Sequence, residues 1–197
     1  MENIKVVIRT LMVVAVLLFG SFIFHQYVEQ SKANAKESIP ILPDFEHTNN
    51  QQFLDNVCEC VTYIQYHGKY NINLKLLLAQ SALESGWGNS RFAREGHNLF
   101  GIRTYDLTEP HMLPSNNPKK WGVRVYMHEC DSVKHYMDIL SNGESYTKYR
   151  ELINQGVNDP YKLIETLDAY ASDKNYFSKI KNILNKIDVE YIIKEIK

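Results

Sequence analysis

The chain has 197 residues and a formal net charge of −1 at neutral pH, with 22 basic and 23 acidic side chains. This length has room for one sizeable domain and an extension. The near-balanced charge gives no support for a nucleic-acid partner, which would need a basic face. A hydrophobic content of 44% with 12% aromatic residues is typical of an ordered globular protein.

The N-terminal part of the chain is predicted to be a membrane anchor. The run Leu11–Phe24 has no charged side chain, and with Val6–Ile8 the apolar segment reaches about 19 residues, enough to cross a bilayer as a helix. We therefore predict an uncleaved transmembrane signal anchor over residues 6–25. Lys5 and Arg9 come before the charge-free run, although Arg9 lies inside the longer segment, and this basic end predicts that residues 1–5 are in the cytoplasm.

The alternative for this segment is a cleaved signal peptide. Ala33-Asn34-Ala35 has the small-x-small form of a cleavage site, but it lies about ten residues beyond the apolar run, farther than such sites normally do. Residues 26–48 are polar and contain Pro40 and Pro43, which predicts an extended, flexible linker.

The folded domain is predicted over residues 49–197, and its first two helices are separated by a glycine. The first has an apolar stripe at helical spacing and ends at His67-Gly68. Its stripe consists of Phe53, Leu54, Val57, Cys58, Val61 and Ile64. The second helix starts near Leu74 and stops at Ser85-Gly86, where glycine lets the backbone turn away.

Glu84 occupies the last turn of this second, largely apolar helix. Negative charge at a helix C-terminus is disfavoured, and apolar neighbours disfavour ionisation by desolvation. Both effects predict a raised pKa, which suits a carboxyl group that holds a proton near neutral pH and donates it. The alternative is a surface glutamate that pairs with a nearby base, such as Arg91 or Arg94.

The rest of the chain is predicted to be a small β-containing insert followed by helices. A short helix is expected around Arg91–Glu95. Residues 98–128 contain several prolines and the alternating run Val123–Tyr126, which indicates loops with a small hairpin. Further helices are predicted from a cap at Asp131, over Tyr146–Ile153, and from Asp159-Pro160, in the usual order of cap and proline. The last helix is lined by Ile180, Ile183, Leu184, Ile187 and Tyr191.

Three cysteines, Cys58, Cys60 and Cys130, leave an odd thiol for an exported protein. Cys58 and Cys60 are two residues apart on a predicted helix and point to different sides, so they cannot bridge each other. At most one disulfide is expected, from Cys130 to one of the other two. The alternative is three unbridged thiols. A metal site built from His128-Glu129-Cys130 and His135 lacks any supporting motif and is not expected.

Three segments of the chain resemble the signature of the bacterial glucosaminidase-domain family, which cleaves peptidoglycan. They are Ala82–Gly88, Ser90–Ala93 and Asn98–Gly101. Within the family, the chain is most similar to the Bax-type proteins of Gram-negative bacteria. The resemblance implies an α+β, mostly α fold, in which a lysozyme-like helical lobe faces a small β-hairpin lobe across a cleft. Tyr170–Tyr176 is similar to the family motif Tyr-Ala-Thr-Asp-x-x-Tyr, with Ser172 in place of threonine.

The resemblance also implies roles for particular residues. Glu84 would be the general acid and Tyr170 a cleft residue that supports catalysis. The second carboxylate is harder to align: Asp106, Glu109 and Glu129 are candidates, and Glu109 is preferred. A substrate with a 2-acetamido group can instead supply its own nucleophile. Candidate substrate-binding residues are Ser85, Trp87, Asn98, Phe100, Tyr105 and Tyr176, and the aromatic ones, with Trp121, are equally compatible with the core.

The sequence therefore predicts a peptidoglycan hydrolase of the N-acetylglucosaminidase type, which cuts the β-1,4 glycan backbone without metal or organic cofactor. Its expected partners are peptidoglycan glycan strands and the bacterial inner membrane, with a single span and the catalytic domain in the periplasm. Two alternatives stay open. One is a lytic transglycosylase of lysozyme-like fold, which forms an anhydro-muramic product, and the other is a non-catalytic wall-binding protein.

Overall fold

The helix that carries Glu84 lies at the centre of the fold. The computed structural model describes residues 40–115, 120–168, 170 and 173–196. Its helices and strands are α1 (Asn50–His67), α2 (Leu74–Ser85), α3 (Arg91–Gly96), β1 (Arg103–Thr104), β2 (His111–Met112), β3 (Gly122–Arg124), α4 (Glu129–Asn142), α5 (Thr147–Asn154), α6 (Pro160–Leu163) and α7 (Tyr176–Ile196). Short 3-10 turns, Glu144–Tyr146 and Ile164–Thr166, precede α5 and follow α6.

Helix α2 is buried on nearly every side, because apolar or small residues occupy almost all of its positions. The buried residues are Leu76, Leu77, Leu78, Ala79, Gln80, Ser81, Ala82 and Ser85. It packs against α1 and against α7, while α1 also packs against α4. Glu84 is one of the few half-buried residues of this helix.

The insert between α3 and α4 is a three-stranded antiparallel sheet in the order β1-β3-β2. Val123 of the central strand pairs with Arg103 on one side and with Met112 on the other. The predicted hairpin is therefore extended by a third strand. The predicted mostly α architecture with a small β lobe is confirmed.

The start of α4 differs from the sequence prediction. The N-cap is His128, whose side chain accepts a hydrogen bond from the Cys130 N–H (3.0 Å). Asp131 lies at N3 instead, where its carboxylate accepts from the His128 N–H (3.1 Å) and completes a capping box. The prediction of an Asp131 cap is therefore wrong by three positions. The predicted cap Asp159, followed by Pro160 in the first turn of α6, is confirmed.

A disulfide joins Cys60 of α1 to Cys130 at the start of α4 across 70 residues of sequence. One of the two predicted pairings is thus present, and Cys58 lies outside the bridge. Both bridged residues are buried, at 0% and 2% exposure. The loop that the bridge closes contains α2, α3 and the whole sheet.

Residues 40–48 precede α1 as an irregular segment, which we call the strap. The compact unit of the chain begins at Pro40, nine residues before the predicted start of the domain. Pro43 and Phe45 are buried, and the Phe45 ring meets Phe53 edge to face at 5.9 Å. The C-terminal part of the predicted linker is therefore packed against the domain.

Among residues 40–115, 120–168, 170 and 173–196, no helix combines the length and the apolar character that a membrane span requires. The predicted anchor over residues 6–25, the cytoplasmic residues 1–5 and most of the predicted linker lie outside the described residues.

Candidate active site

The backbone turns sharply directly after Glu84. Gly86 adopts the left-handed conformation with φ 60°, and its N–H reaches the carbonyl oxygens of Ala82 and Leu83. Trp87 follows with φ 58°, a conformation that non-glycine residues adopt rarely, and Gly88 with φ 77°. We call Gly86–Gly88 the glutamate turn. It ends α2 with the Glu84 side chain partly exposed.

Two side chains hold the glutamate turn in place. The Ser85 hydroxyl donates to the Ser81 carbonyl oxygen (2.6 Å) and accepts from the Gly88 N–H (2.7 Å). His47 of the strap donates through Nε2 to the Trp87 carbonyl oxygen (3.0 Å). A Cβ atom at Gly88 would lie 2.5 Å from the His47 ring, so only glycine permits this approach. Ser85 is therefore a buried structural residue in this structure.

Burial raises the pKa of Glu84 above its ordinary value of 4.5, because an ionised carboxylate loses its hydration there. Two groups of α7 act in the opposite direction: a hydrogen bond from the Tyr176 hydroxyl, and the positive charge of Lys179. A carboxyl group with a raised pKa retains its proton closer to neutral pH. This is the property that general acid catalysis requires.

Gly101 leaves space in front of the Glu84 carboxyl group. A Cβ atom at Gly101 would lie 4.0 Å from Glu84 Oε2, and the glycine has a φ of 63°. The absence of a side chain here therefore leaves the carboxyl group accessible from the segment that leads into β1.

Tyr170 lies behind the same segment. Its hydroxyl donates to the Phe100 carbonyl oxygen (2.9 Å), and its ring meets the Tyr136 ring edge to face at 5.8 Å. Phe100 itself stacks on Tyr136 with ring centroids 4.1 Å apart and is buried. Burial raises the pKa of Tyr170 well above its ordinary value, and the nearby Glu84 charge acts in the same direction, so the phenol stays neutral.

Tyr176 is only 4% exposed and offers little surface to a ligand. Its hydroxyl accepts a hydrogen bond from Gln80 Nε2 (2.8 Å), and burial raises the pKa of its phenol. Asn98 is likewise buried, and its side chain makes four hydrogen bonds to the backbone of Phe100, Ile102 and Arg124. These bonds join the segment after α3 to strand β3.

The predicted second carboxylate, Glu109, lies between β1 and β2, and both of its oxygen atoms have hydrogen-bond or ion-pair partners. Its Oε2 atom accepts a hydrogen bond from the Thr104 hydroxyl (2.7 Å) and forms an ion pair with Arg124 Nη2 (2.6 Å). Arg124 Nη1 reaches the other oxygen, Oε1, at 3.1 Å, so the pair is bidentate. The Glu109 charge is therefore balanced by a fixed cation on the central strand.

The other two candidates for the second carboxylate have structural partners. Asp106 accepts from the N–H and the hydroxyl of Thr108, and these hydrogen bonds lower its pKa. Glu129 is paired with His97 (2.8 Å), close to the disulfide. It lines a cavity of about 540 Å³ together with His47 and Arg94. Neither residue has a described contact with Glu84.

The most exposed predicted binding residue is Tyr105, at 72%. Trp87 is half-buried and meets Phe53 edge to face at 6.3 Å. Next to the sheet, the Arg103 guanidinium lies 4.0 Å from the centre of the Trp121 ring, one residue before β3. Of the six predicted substrate-binding residues, Tyr105 and Trp87 thus present surface, whereas Ser85, Asn98, Phe100 and Tyr176 are buried.

In the described part of the chain, the ligand atoms of Cys60, His128 and Cys130 lie within 4.8 Å of one another. The two cysteines are bridged, so their sulfur atoms are not thiolates that could bind a metal ion. His135, the other member of the site considered from sequence, bonds the Tyr126 hydroxyl at 2.8 Å.

Sequence reasoning missed three residues around Glu84: Gln80, Gly101 and His47. Gln80 is four residues before Glu84 and therefore on the same face of α2, which was a usable signal. Gly101 belongs to the segment Asn98–Gly101, which carries the family resemblance, but the sequence predicted no separate role for it. Nothing local marked His47, because its contact with Trp87 spans 40 residues.

A mostly helical domain, a small antiparallel sheet and a half-buried glutamate at a helix end are the features expected of a lysozyme-like glucosaminidase domain. The family comparison agrees: residues 60–189 match the Glucosaminidase family, described as mannosyl-glycoprotein endo-beta-N-acetylglucosaminidase. The chain therefore belongs to the Glucosaminidase family, and the predicted family is confirmed.

Two curated relatives and one solved structure illustrate the similarity. The chain is 26% identical over 163 residues to exo-glucosaminidase LytG of Bacillus subtilis, covering 77% of this chain and 57% of LytG. It is 28% identical over 126 residues to peptidoglycan hydrolase FlgJ of Escherichia coli K12, covering 57% of this chain and 39% of FlgJ.

The glycoside hydrolase domain of Salmonella typhimurium FlgJ superposes with a TM-score of 0.57 at 21% identity. That comparison covers 75% of this chain and 94% of the other, and it shows the shared fold. The chain thus spans 57% and 39% of the lengths of the two curated relatives.

Proposed function

We propose that this chain is a peptidoglycan hydrolase that cleaves the β-1,4 glycan backbone, acting as an N-acetylglucosaminidase with Glu84 as general acid. The observation that carries the proposal is the Glu84 carboxyl group itself. It is half-buried, its pKa is raised, and the side next to Gly101 is open. Membership of the Glucosaminidase family and similarity to a peptidoglycan hydrolase support the substrate class.

In the proposed reaction, Glu84 transfers its proton to the glycosidic oxygen while the bond from that oxygen to the sugar C1 breaks. The electron pair of the bond stays with the departing oxygen, and an oxocarbenium-like transition state forms at C1. Water then supplies the oxygen that bonds to C1, either directly or after the 2-acetamido oxygen has bonded there. Loss of a water proton returns Glu84 to its acid form.

Glu109 and Tyr170 are proposed as supporting groups. Glu109 holds a negative charge in the β lobe, where the bidentate contact with Arg124 fixes its position. A fixed carboxylate can orient water or stabilise positive charge at C1. Tyr170 anchors the Phe100 carbonyl oxygen, next to Gly101. Tyr105 and Trp87 are proposed to contact sugar rings through their exposed faces.

We also propose that residues 6–25 anchor the chain in the inner membrane with the domain in the periplasm. The charge-free run Leu11–Phe24 after Lys5 supports this location. N-terminal sequencing of the membrane fraction should find the intact start. A soluble product that begins near Lys36 would contradict the anchor and indicate a cleaved signal peptide.

The test of the activity is release of reducing ends from purified peptidoglycan, with mass spectrometry of the products. Hydrolysis adds water to each cleaved bond, whereas a lytic transglycosylase would leave an anhydro-muramic end. Glu84→Gln should lower the rate by about 10²–10⁴-fold, because the amide cannot donate the required proton. A folded Glu84→Gln variant with more than about a tenth of the wild-type rate would refute the assignment.

The matched variant is Glu109→Gln. If the acetamido group is the nucleophile, its rate should fall far less than that of Glu84→Gln. If Glu109 activates water, the two losses should be comparable. Circular dichroism of both variants checks that the lost activity is not lost structure.

A further inference from the structure

We propose that Gln80 is a positioning residue that turns the Tyr176 hydroxyl proton towards the Glu84 carboxyl group. The inference rests on the proposed function, since it describes how the general acid is supported as it gives up its proton. It assigns a role to three buried polar side chains, Gln80, Tyr136 and Tyr176, that the proposed reaction does not otherwise use.

The geometry is set by helix α2. Gln80 and Glu84 are four residues apart and therefore lie on one face of the helix, one turn from each other. Gln80 is completely buried, at 0% exposure. Its Nε2 atom donates to the Tyr176 hydroxyl (2.8 Å), and its Oε1 atom accepts from the Tyr136 hydroxyl.

The direction of these hydrogen bonds follows from counting donors and acceptors. Tyr136 is completely buried, and Gln80 Oε1 is the acceptor for its hydroxyl proton. The amide oxygen of Gln80 therefore faces Tyr136, and the amide nitrogen faces Tyr176. A hydroxyl that accepts from an N–H is free to donate its own proton. Glu84, whose pKa the Tyr176 hydroxyl lowers, lies one helical turn from Gln80 and is the acceptor that we assign to this proton.

Two hydrogen bonds, from Tyr136 to Gln80 and from Gln80 to Tyr176, thus point in the same direction, and the proposed third continues from Tyr176 to the Glu84 carboxyl group. Aligned hydrogen bonds in a low-dielectric interior polarise one another. The chain favours the ionised form of Glu84 and opposes the effect of burial, as does the charge of Lys179 on α7. Tyr170 also faces this region, but its phenol is neutral and its proton is directed to Phe100.

This arrangement matters for the proposed chemistry because a general acid becomes a carboxylate while its proton leaves. Donors that already point at the carboxyl group need no reorganisation at that moment. The alternative is that the three side chains only satisfy one another in the core. In that case their removal would lower stability without changing the titration of Glu84.

The experiment is an NMR titration of the full-length chain labelled with ¹³C at the glutamate side-chain carboxyl groups. The Glu84 resonance is identified by its absence in Glu84→Gln. The variants are Tyr176→Phe, which removes the donor to Glu84, and Gln80→Met, which removes the donor to Tyr176.

Tyr149→Phe is the matched control. It also removes a buried tyrosine hydroxyl from a hydrogen bond, here with the Asn73 N–H (3.0 Å) at the opposite end of α2. It should lower stability by a comparable amount and leave the pKa of Glu84 unchanged. Any shift common to all variants would then be attributed to loosened packing.

We expect the pKa of Glu84 to rise by roughly one unit in Tyr176→Phe, the scale of one hydrogen bond to a charged group. Gln80→Met should shift the pKa in the same direction. The upper limb of the pH–rate profile should move with it. A folded Gln80 variant with the wild-type Glu84 pKa would overturn the proposal. If the shifts occur but wild-type protein releases no reducing ends, the hydrogen-bond chain stands and the proposed function fails.

Discussion

Removal of the Cys60–Cys130 disulfide should cost this domain a large part of its stability. The bridge joins residues 70 apart, and the chain-entropy relation for a loop of that length gives about 4 kcal/mol. For a chain of this size each kcal/mol corresponds to about 2–4 °C in Tm, so the double variant Cys60→Ala/Cys130→Ala should melt about 8–16 °C lower. Both cysteines are buried, so the missing sulfur contacts add to this loss.

The assay is thermal and denaturant unfolding of the oxidised wild type, the reduced wild type and the double variant. Cys58→Ala is the control, since it removes a cysteine from the same helix and keeps the bridge. Thiol counting on denatured, oxidised protein should give one thiol per chain. Three thiols would refute the Cys60–Cys130 bridge itself. A stability loss below about 1 kcal/mol in the double variant would refute the loop-entropy argument.

Three further outcomes are expected. Because burial raises the pKa of Glu84, its ionisation destabilises the folded wild type as pH rises. Glu84→Gln has no such group, so the Tm of the variant minus the Tm of wild type should increase between about pH 4 and 7. An equal Tm difference at both pH values would contradict this. Gly101→Ala should slow turnover, because the added Cβ atom would lie 4.0 Å from Glu84 Oε2. Gly156→Ala is the control: it introduces similar backbone strain, but its Cβ atom would lie in open space, so its rate should equal that of wild type. His47→Ala should lower the free energy of unfolding by about 1 kcal/mol and reduce the rate, since the Trp87 carbonyl oxygen loses its donor. Equal rates for Gly101→Ala and Gly156→Ala would refute the argument about Gly101. A His47→Ala variant as stable as wild type would refute the argument about His47.

The local part of the site could be predicted because the signals were adjacent in sequence. Glycine after Glu84 predicted the helix end, and apolar neighbours predicted the direction in which its pKa moves. The disulfide was narrowed to two pairings by helix geometry, since residues two apart point to different sides. The order Asp159-Pro160 predicted the start of a helix in the same way.

The missed features depend on contacts between distant residues. Strands of two or three residues carry too little pattern to predict the order β1-β3-β2. The start of α4 was misplaced because His128 is an uncommon cap and Asp131 is equally suited to N3 of a capping box. The Gln80–Tyr176 contact joins residues 96 apart, and no local pattern predicts it.

The strap has a practical consequence for how this domain is delimited. The family match begins at residue 60, whereas the His47 ring that supports the glutamate turn lies 13 positions earlier. A fragment cut at the family boundary would retain Glu84, Glu109 and Tyr170, yet it would lose His47, Phe45 and the first half of α1. Such a fragment would contain every residue assigned to the chemistry, but it would lack the His47 side chain that holds the Trp87 carbonyl oxygen in position. We therefore expect the smallest active fragment to begin before His47, ahead of the segment by which the family is recognised.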